Sequence, residues 1–227
     1  MSAESAAGGT RRRGPRPRHT REQVIEAAVA IADSDGLDAV TIRAVAARLG
    51  ASAMSLYSYV PGKQALVYEM VDHVGGEVRL PDKPSGDWRA DLHLIAGEQR
   101  AVVHRHPWLV AALSHRQPLG PAALAFLEFA LAVLEPAGLD AAAALETISL
   151  LVGFVVNLAR AELADRDAPV DPAEAAAQSV RLQQLLATGN YPRFTAAVAH
   201  GGEPGIDLTA HFERLLDRVI DGLIASA

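Results

Sequence analysis

Thr41-Ile42-Arg43-Ala44-Val45-Ala46-Ala47-Arg48-Leu49-Gly50-Ala51-Ser52-Ala53-Met54-Ser55-Leu56-Tyr57-Ser58-Tyr59-Val60-Pro61-Gly62-Lys63 is the stretch on which the fold turns. Two short helical patterns meet at Gly50. Thr41 is placed to cap the first, whose apolar residues Val45, Ala46 and Leu49 share one face. Gly50 stops it, because glycine takes the positive φ of a helix end without a Cβ penalty. Ser52 can cap the next helix at once, so the turn is a few residues long and the two helices must cross steeply. The second helix then projects Ala53, Met54, Ser55 and Ser58, small or uncharged side chains that suit base edges and thymine methyl groups in a major groove. Tyr57, Tyr59 and Lys63 offer groups for phosphates, and Arg43 can reach the DNA backbone. This is the pattern of a helix-turn-helix reader of DNA. A helix, a glycine and a second helix also occur in other all-α proteins, so spacing alone leaves both readings open.

Residue identities go further. The stretch resembles the N-terminal domain of the TetR family of transcriptional regulators, whose pattern runs Thr-x-Arg-x-hydrophobic-Ala, Leu-Gly-small-Ser, then Leu-Tyr-x-His/Tyr-Phe/Val and a Lys three residues on. Thr41, Arg43, Val45, Ala46, Leu49, Gly50, Ala51, Ser52, Leu56, Tyr57, Tyr59, Val60 and Lys63 satisfy it. Tyr59-Val60 departs from the commoner His-Phe pair and is closer to the tetracycline-repressor branch. The resemblance implies that Thr41, Arg43, Ser52, Ala53, Met54, Ser55, Tyr57, Tyr59 and Lys63 face DNA, with Tyr57 and Lys63 as phosphate anchors.

Upstream, Thr20 and Gln23 form a capping box for a helix with an apolar stripe of Val24, Ala27, Ala28, Ile31 and Ala32, ended by Gly36. Downstream, Gln64 to Val74 reads as a longer helix, opened by Pro61-Gly62 and interrupted or ended by Gly75-Gly76. It is a strut from the head to the rest. Residues 20–79 are therefore expected to form a helix-turn-helix domain with a connecting helix, after a disordered basic arm over 1–19. Arg11, Arg12, Arg13, Arg16 and Arg18 lie in that arm, which either stays solvated or follows DNA into an adjacent minor groove.

Charge distribution supports DNA as a partner. The chain of 227 residues has a net charge of −6, yet its first 63 residues hold nine Lys/Arg against six acids, leaving −9 for the remainder. The acidic part would be repelled by a duplex and so helps orient approach.

Residues 80–227 read as helix after helix, in an all-α chain of nine or ten helices with a break at Pro81 to Gly86. The expected helices cover Trp88 to the residue before Pro107, a short piece at Trp108 to Leu113, Ala122 to Leu134, Ala141 to Leu163, Ala173 to Leu186, Tyr191 to Ala199, and a last one from Leu208 to Leu223. His106-Pro107-Trp108 and Pro118-Leu119-Gly120-Pro121 resemble the C-terminal domain of tetracycline-repressor relatives, though no tetracycline or magnesium ligands carry over. In TetR-like proteins two C-terminal helices pair across a two-fold axis. The resemblance assigns that role here to Leu151, Val155 and Leu158 with Phe212, Leu216, Val219 and Leu223. A homodimer also follows from the DNA side, since two heads about 34–36 Å apart read the half-sites of a palindromic operator. An effector cavity could be lined by Trp108, Phe126, Phe129 and Phe154, with Gln99, His104 or Asn157 fixing a polar group. The same side chains also suit plain core.

Other classes find little support. No cysteine is present, so there is no disulfide or thiolate metal site. The longest near-apolar run, Ile148 to Ala159, is too short for a bilayer and no signal peptide opens the chain, so a soluble cytoplasmic protein without a membrane partner is expected. HExxH, GxGxxG and GxSxG motifs are missing, and Gly62-Lys63 runs into Gln64 rather than completing a phosphate loop. His104 and His106, two apart, point roughly 200° away from each other on a helix and make a poor metal pair. No catalytic residue, metal or cofactor is implied. The expected function is a DNA-binding regulator, a repressor released by a small lipophilic ligand. Activation, or a helical dimer whose head contacts protein, is the alternative.

Overall fold

The computed structural model of the protein describes residues 19–113, 118–167, 171–201 and 207–224, and among these every regular element is helical. The head consists of α1 (Arg21–Asp35), α2 (Ile42–Leu49) and α3 (Ala53–Leu56), followed by the connecting α4 (Lys63–Gly75). The body contains α5 (Trp88–Arg105), α6 (Leu109–Ala112), α7 (Pro121–Leu134), α8 (Ala141–Asp167), α9 (Pro172–Ala187), α10 (Pro192–Gly201) and α11 (Leu208–Ile224). The fold is all-α. Among the described residues there are eleven α-helices and two 3-10 turns, Leu37–Ala39 and Glu135–Ala137, against the expected nine or ten helices.

Local chemistry sets the head's boundaries. Thr20 Oγ1 accepts from the Gln23 amide at 3.1 Å while Gln23 Oε1 accepts from the Thr20 amide at 3.0 Å, completing the capping box. Thr41 Oγ1 accepts from Ala44 N at 3.0 Å and Ser52 Oγ from Ser55 N at 3.2 Å, so both helices of the motif are capped by their own hydroxyl residues. Between them Gly50 has φ of 62°, a left-handed conformation that a side chain would strain. The second helix is shorter than its pattern suggests. It is regular to Leu56, after which Tyr57, Ser58 and Tyr59 form a turn closed by Tyr59 N to Leu56 O at 2.9 Å.

Two apolar clusters hold these elements. The first joins Val24, Ala28, Val40, Val45, Leu56 and Val60 of the head to Leu66, Met70 and Val74 of α4, then continues into Val102, Leu109, Ala112, Ala159 and Leu163 of the body. Full burial of each such Val or Leu favours folding by about 1.5–3 kcal/mol. The second cluster lies among α5, α7, α8 and α11, around Ile95, Leu134, Leu151, Val155, Phe212 and Leu216. It positions the body's helices around the site described below.

The long α8 corrects one expectation. Its stretch Ala141–Ala164 is long and apolar enough to cross a membrane by length and composition, because Ser149 and Asn157 do not interrupt the helix. One flank, with Ile148, Leu151, Val155 and Ala159, is buried in the clusters, while Leu150 on the opposite flank is 58% exposed. Helices α9 and α10 show no buried side chain among their described residues. Val180, Leu185, Phe194 and Val198 stand open on them.

A polar joint seats the head on the body. Asp33, in the last turn of α1, accepts from the Trp108 indole Nε1–H at 2.7 Å, and its same oxygen lies 2.7 Å from His106 Nδ1. The other ring nitrogen of His106 is 3.3 Å from Glu77, which also pairs with Arg105. Burial raises the Glu77 pKa, but hydrogen bonds and charge from Arg105 and His106 outweigh it and hold the carboxyl below its ordinary range. Asp33→Ala leaves two buried donors without an acceptor, so it should lower stability by about 1–3 kcal/mol. Urea unfolding followed by tryptophan fluorescence should show a lower midpoint with an unchanged slope.

Candidate functional site

The surface around α3 is where the expected DNA contacts gather. Met54 projects most, at 80% exposure, and Thr41, Arg43, Ser52, Ser55, Tyr57 and Lys63 are exposed around it. Two of the expected residues sit differently. Ala53 is half-buried and packs on the head's core, and Tyr59 is half-buried with its phenol donating to the His19 carbonyl at 2.8 Å. That bond spans 40 positions, which local patterns cannot reveal, and it ties the last residue of the basic arm to the turn after α3. Arg11, Arg12, Arg13, Arg16 and Arg18 lie outside the described residues. The Ser55 hydroxyl donates to Ser52 O at 2.6 Å and that of Ser58 to Ser55 O at 2.7 Å. With those protons turned inward, the projecting face is dominated by apolar contact area. Lys63 Nζ makes a long contact of 3.4 Å to Asp38 O, which leaves its charge facing solvent.

Behind the head, α4 to α8 line an open-sided cavity of about 440 Å³. Val71, Val102, Val103, Leu109, Phe126, Leu127, Ile148 and Val152 form its apolar walls, and Tyr68, Asp72, Gln99 and Ser149 add polar groups. A volume of this order suits a small organic molecule. Of the residues expected to line a pocket, Gln99 and Phe126 do so. The Gln99 Oε1 is buried there without a hydrogen-bond partner.

The other expected lining residues are engaged elsewhere. Trp108 belongs to the Asp33 joint. His104 Nε2 lies 2.6 Å from Glu162, which also takes a two-pronged contact from Arg100 at 2.8 and 3.0 Å. Burial raises the Glu162 pKa, yet the hydrogen bonds and charges of Arg100 and His104 dominate and keep it below the usual carboxylate range. Phe154 stacks on Phe212 with ring centres 6.2 Å apart, and the Arg100 guanidinium covers the Phe212 ring at 4.9 Å. Asn157 accepts from Arg160 at 2.7 Å and lines a further hollow, which shares Leu113, Ser149, Val152 and Val156 with the cavity. Phe129 lines an adjoining open hollow with Leu80, Pro81 and Pro84, which shares Gly75, Val78, Ala122 and Phe126 with the cavity.

Among the residues assigned to a dimer interface, Leu151, Val155, Phe212 and Leu216 are buried in the chain's own core. They have no area left to bury against a second copy. Leu158, Val219 and Leu223 are half-buried, and Leu145 and Leu150 on α8 are exposed.

One contact connects the cavity to the strut. Asp72, on α4, accepts from the amides of Ala122 at 3.3 Å and Ala123 at 3.1 Å, so a carboxylate from one helix caps the N-terminus of another. Pro121 at the start of α7 has no N–H to offer. The carboxylate fits because residue 120 is glycine: a Cβ there would lie 2.2 Å from Asp72 Cγ. Asp72, Ala122 and Ala123 all line the cavity. Sequence reasoning missed this joint, although an acid on the strut and a Gly-Pro helix start were both visible.

Comparison with known proteins agrees with this geometry. Residues 24–70 match the family described as bacterial regulatory proteins, tetR family, and residues 80–227 match the tetracyclin repressor-like C-terminal domain. The chain is 40% identical over 217 residues to the HTH-type transcriptional repressor DrrR1 of Streptomyces coeruleorubidus, covering 93% of this chain and 79% of that protein. Among solved structures, apo ActR from Streptomyces coelicolor is similar at a TM-score of 0.76 and 28% identity, covering 91% of this chain and 97% of ActR. ActR in complex with actinorhodin is similar at 0.75 and 28%, covering 92% and 98%.

Gly120→Ala should push the Asp72 carboxylate off α7 and cost about 0.5–2 kcal/mol, the loss of a helix cap. Gly97→Ala, in the interior of α5 with open space at its Cβ, should be neutral or stabilising by up to about 1 kcal/mol. Thermal unfolding of the two variants side by side measures the difference.

Proposed function

This chain belongs to the TetR family of bacterial regulatory proteins, and we propose that it is a cytoplasmic, homodimeric repressor that leaves a palindromic operator when a small lipophilic molecule fills the α4–α8 cavity. It is a regulator and not an enzyme. The observation that carries the reading is the double duty of α4. Leu66 and Met70 belong to the head's core, while Tyr68, Val71 and Asp72 of the same helix line the cavity. A ligand that prefers a cavity with α4 displaced must displace the head as well, because a helix moves as a rigid rod. The likeness to a named repressor, and to a relative solved with a bound small molecule, supports the same reading.

In this reading α3 enters the major groove with Met54, Ser55 and the uncovered edge of Ala53 toward the bases. Tyr57 and Lys63 hold phosphates, assisted by Thr41, Arg43, Ser52 and the backbone around Tyr59. Arg11, Arg12, Arg13, Arg16 and Arg18 extend the basic footprint along the duplex. The second copy docks on the open flanks of α8 and α11, through Leu150 and Leu158 with Leu215, Val219 and Leu223, and not through the covered Leu151, Val155, Phe212 and Leu216. Apolar area of this kind on long adjacent helices is what an obligate interface buries.

Two experiments test these assignments. Lys63→Ala and Tyr57→Phe should weaken binding to the promoter region and to random duplex alike, with Lys63→Ala reducing the salt slope by about 0.9. Substitutions at Met54 should instead change which sequence is preferred. Equal affinity of the unaltered protein for its promoter region and random DNA at every salt concentration would remove the regulator reading. Leu150→Glu should convert the dimer to a monomer in sedimentation equilibrium and abolish operator binding with the head still folded. A Leu150→Glu protein that stays dimeric rules out the α8 flank as interface.

A further inference from the structure

The cavity specifies a ligand chemistry through two of its lining groups. Gln99 Oε1 is buried in it, and no donor reaches that oxygen. An orphaned buried amide carbonyl of this kind is destabilising, and a ligand donor would relieve it. Of the other uncharged polar groups lining it, Ser149 has given its proton to the backbone, while Tyr68 accepts and keeps its own proton to donate. Tyr68 Oη accepts from Gln64 at 2.6 Å and the Ser149 hydroxyl donates to Leu145 O at 2.9 Å. The second group is Asp72, the one charged side chain among the described residues lining the cavity. Its oxygens take the two α7 amides, and no described Lys, Arg or His shares the wall. A ligand carboxylate would therefore lose its water beside a like charge, with no counterion among the described lining residues.

Resting on the effector reading above, we infer that the cavity takes an uncharged, bulky apolar molecule that presents a hydroxyl to Gln99, and that it rejects carboxylates. A hydroxyl suits the position because it both donates and accepts, so it satisfies either end of the amide. The apolar walls hold the body of the ligand, and Gln99 fixes its orientation.

A matched set of anthraquinones tests this, since the frame is rigid, apolar and without donors of its own: 2-(hydroxymethyl)anthraquinone, 2-methylanthraquinone and anthraquinone-2-carboxylate. Equilibrium dialysis against the full chain at neutral pH should show the hydroxymethyl compound bound about tenfold tighter than the methyl one, the worth of one net hydrogen bond. The carboxylate should be bound weakest. Gln99→Leu should erase the hydroxymethyl preference while still binding the methyl compound, which shows that its cavity has formed. Asp72→Asn, which keeps an acceptor for α7, should raise carboxylate affinity at least about tenfold. The inference is overturned if the carboxylate binds the unaltered protein as well as the hydroxymethyl compound does. It is also overturned if Gln99→Leu keeps the preference, or if none of the three binds. In that last case retained promoter selection leaves the regulator reading intact. Binding in the expected order without any change in operator affinity has the opposite effect: the cavity's selectivity stands and ligand-relieved repression falls.

Discussion

The constraint on which the structure depends is that α4 must be buried at both ends by different parts of the chain. Leu66 and Met70 close the head's core, and Val74 extends the same cluster toward the body. A three-helix head of this size has a small core of its own, so much of its apolar burial is borrowed from α4 and what α4 rests on. Asp72 adds direction to that burial. Its carboxylate on the amides of α7 sets both the height and the rotation of α4, because a side chain one turn earlier or later would not meet Ala122 and Ala123. The Asp33, His106 and Trp108 joint fixes the far end of α1 in the same way. The head is thus held by two polar contacts of defined geometry over a shared apolar base.

Those contacts divide the molecule's charges into two uses. Carboxylates of the body and of the joint are paired inward, as in Glu162 with Arg100 and His104, and Glu77 with Arg105 and His106. Around α3 the arrangement is the reverse. Arg43 and Lys63 are exposed and the hydroxyl protons of Ser55 and Ser58 are turned onto their own backbone. An acidic protein can in this way present a locally positive, locally apolar surface, since what a duplex meets within a Debye length is the head and not the net charge.

The head and the helix order were legible because their determinants are local. Thr20 with Gln23, Thr41, Gly50 and Ser52 act within four residues of themselves, and an apolar stripe of period 3.6 announces a helix wherever it folds. What a stripe does not announce is which surface covers it. Phe212 and Leu216 lie on a textured apolar face that could serve core or interface, and only the packing of α11 against α5 and α8 assigns them to the core. Trp108 and His104 escaped the expected pocket because their acceptors, Asp33 and Glu162, lie 75 and 58 positions away. Gln99, an amide on an otherwise apolar helix face, and Phe126 were the readable exceptions. The Tyr59 phenol likewise found its acceptor at His19, a pairing that exists once α1 has folded beside the turn.

The geometry also bounds how small a movement is needed for release under the proposed mechanism. At about 1.5 Å per residue the nine-residue rise from Asp72 back to Lys63 forms a lever of roughly 14 Å. A tilt of about 8° about the Asp72 contact would carry the Lys63 end by nearly 2 Å on this estimate. In a two-fold dimer the displacements of the heads are opposite, so their separation would change by about 3–4 Å, near the rise of one base pair. Half-site spacing tolerates little error of that kind, because both recognition elements must meet their base edges in register. A ligand therefore need not unfold or eject anything. Under the proposed mechanism it would have to stabilise a slightly different seat for one carboxylate on one helix terminus, and the rigidity of α4 would turn that local preference into a mismatch with the operator.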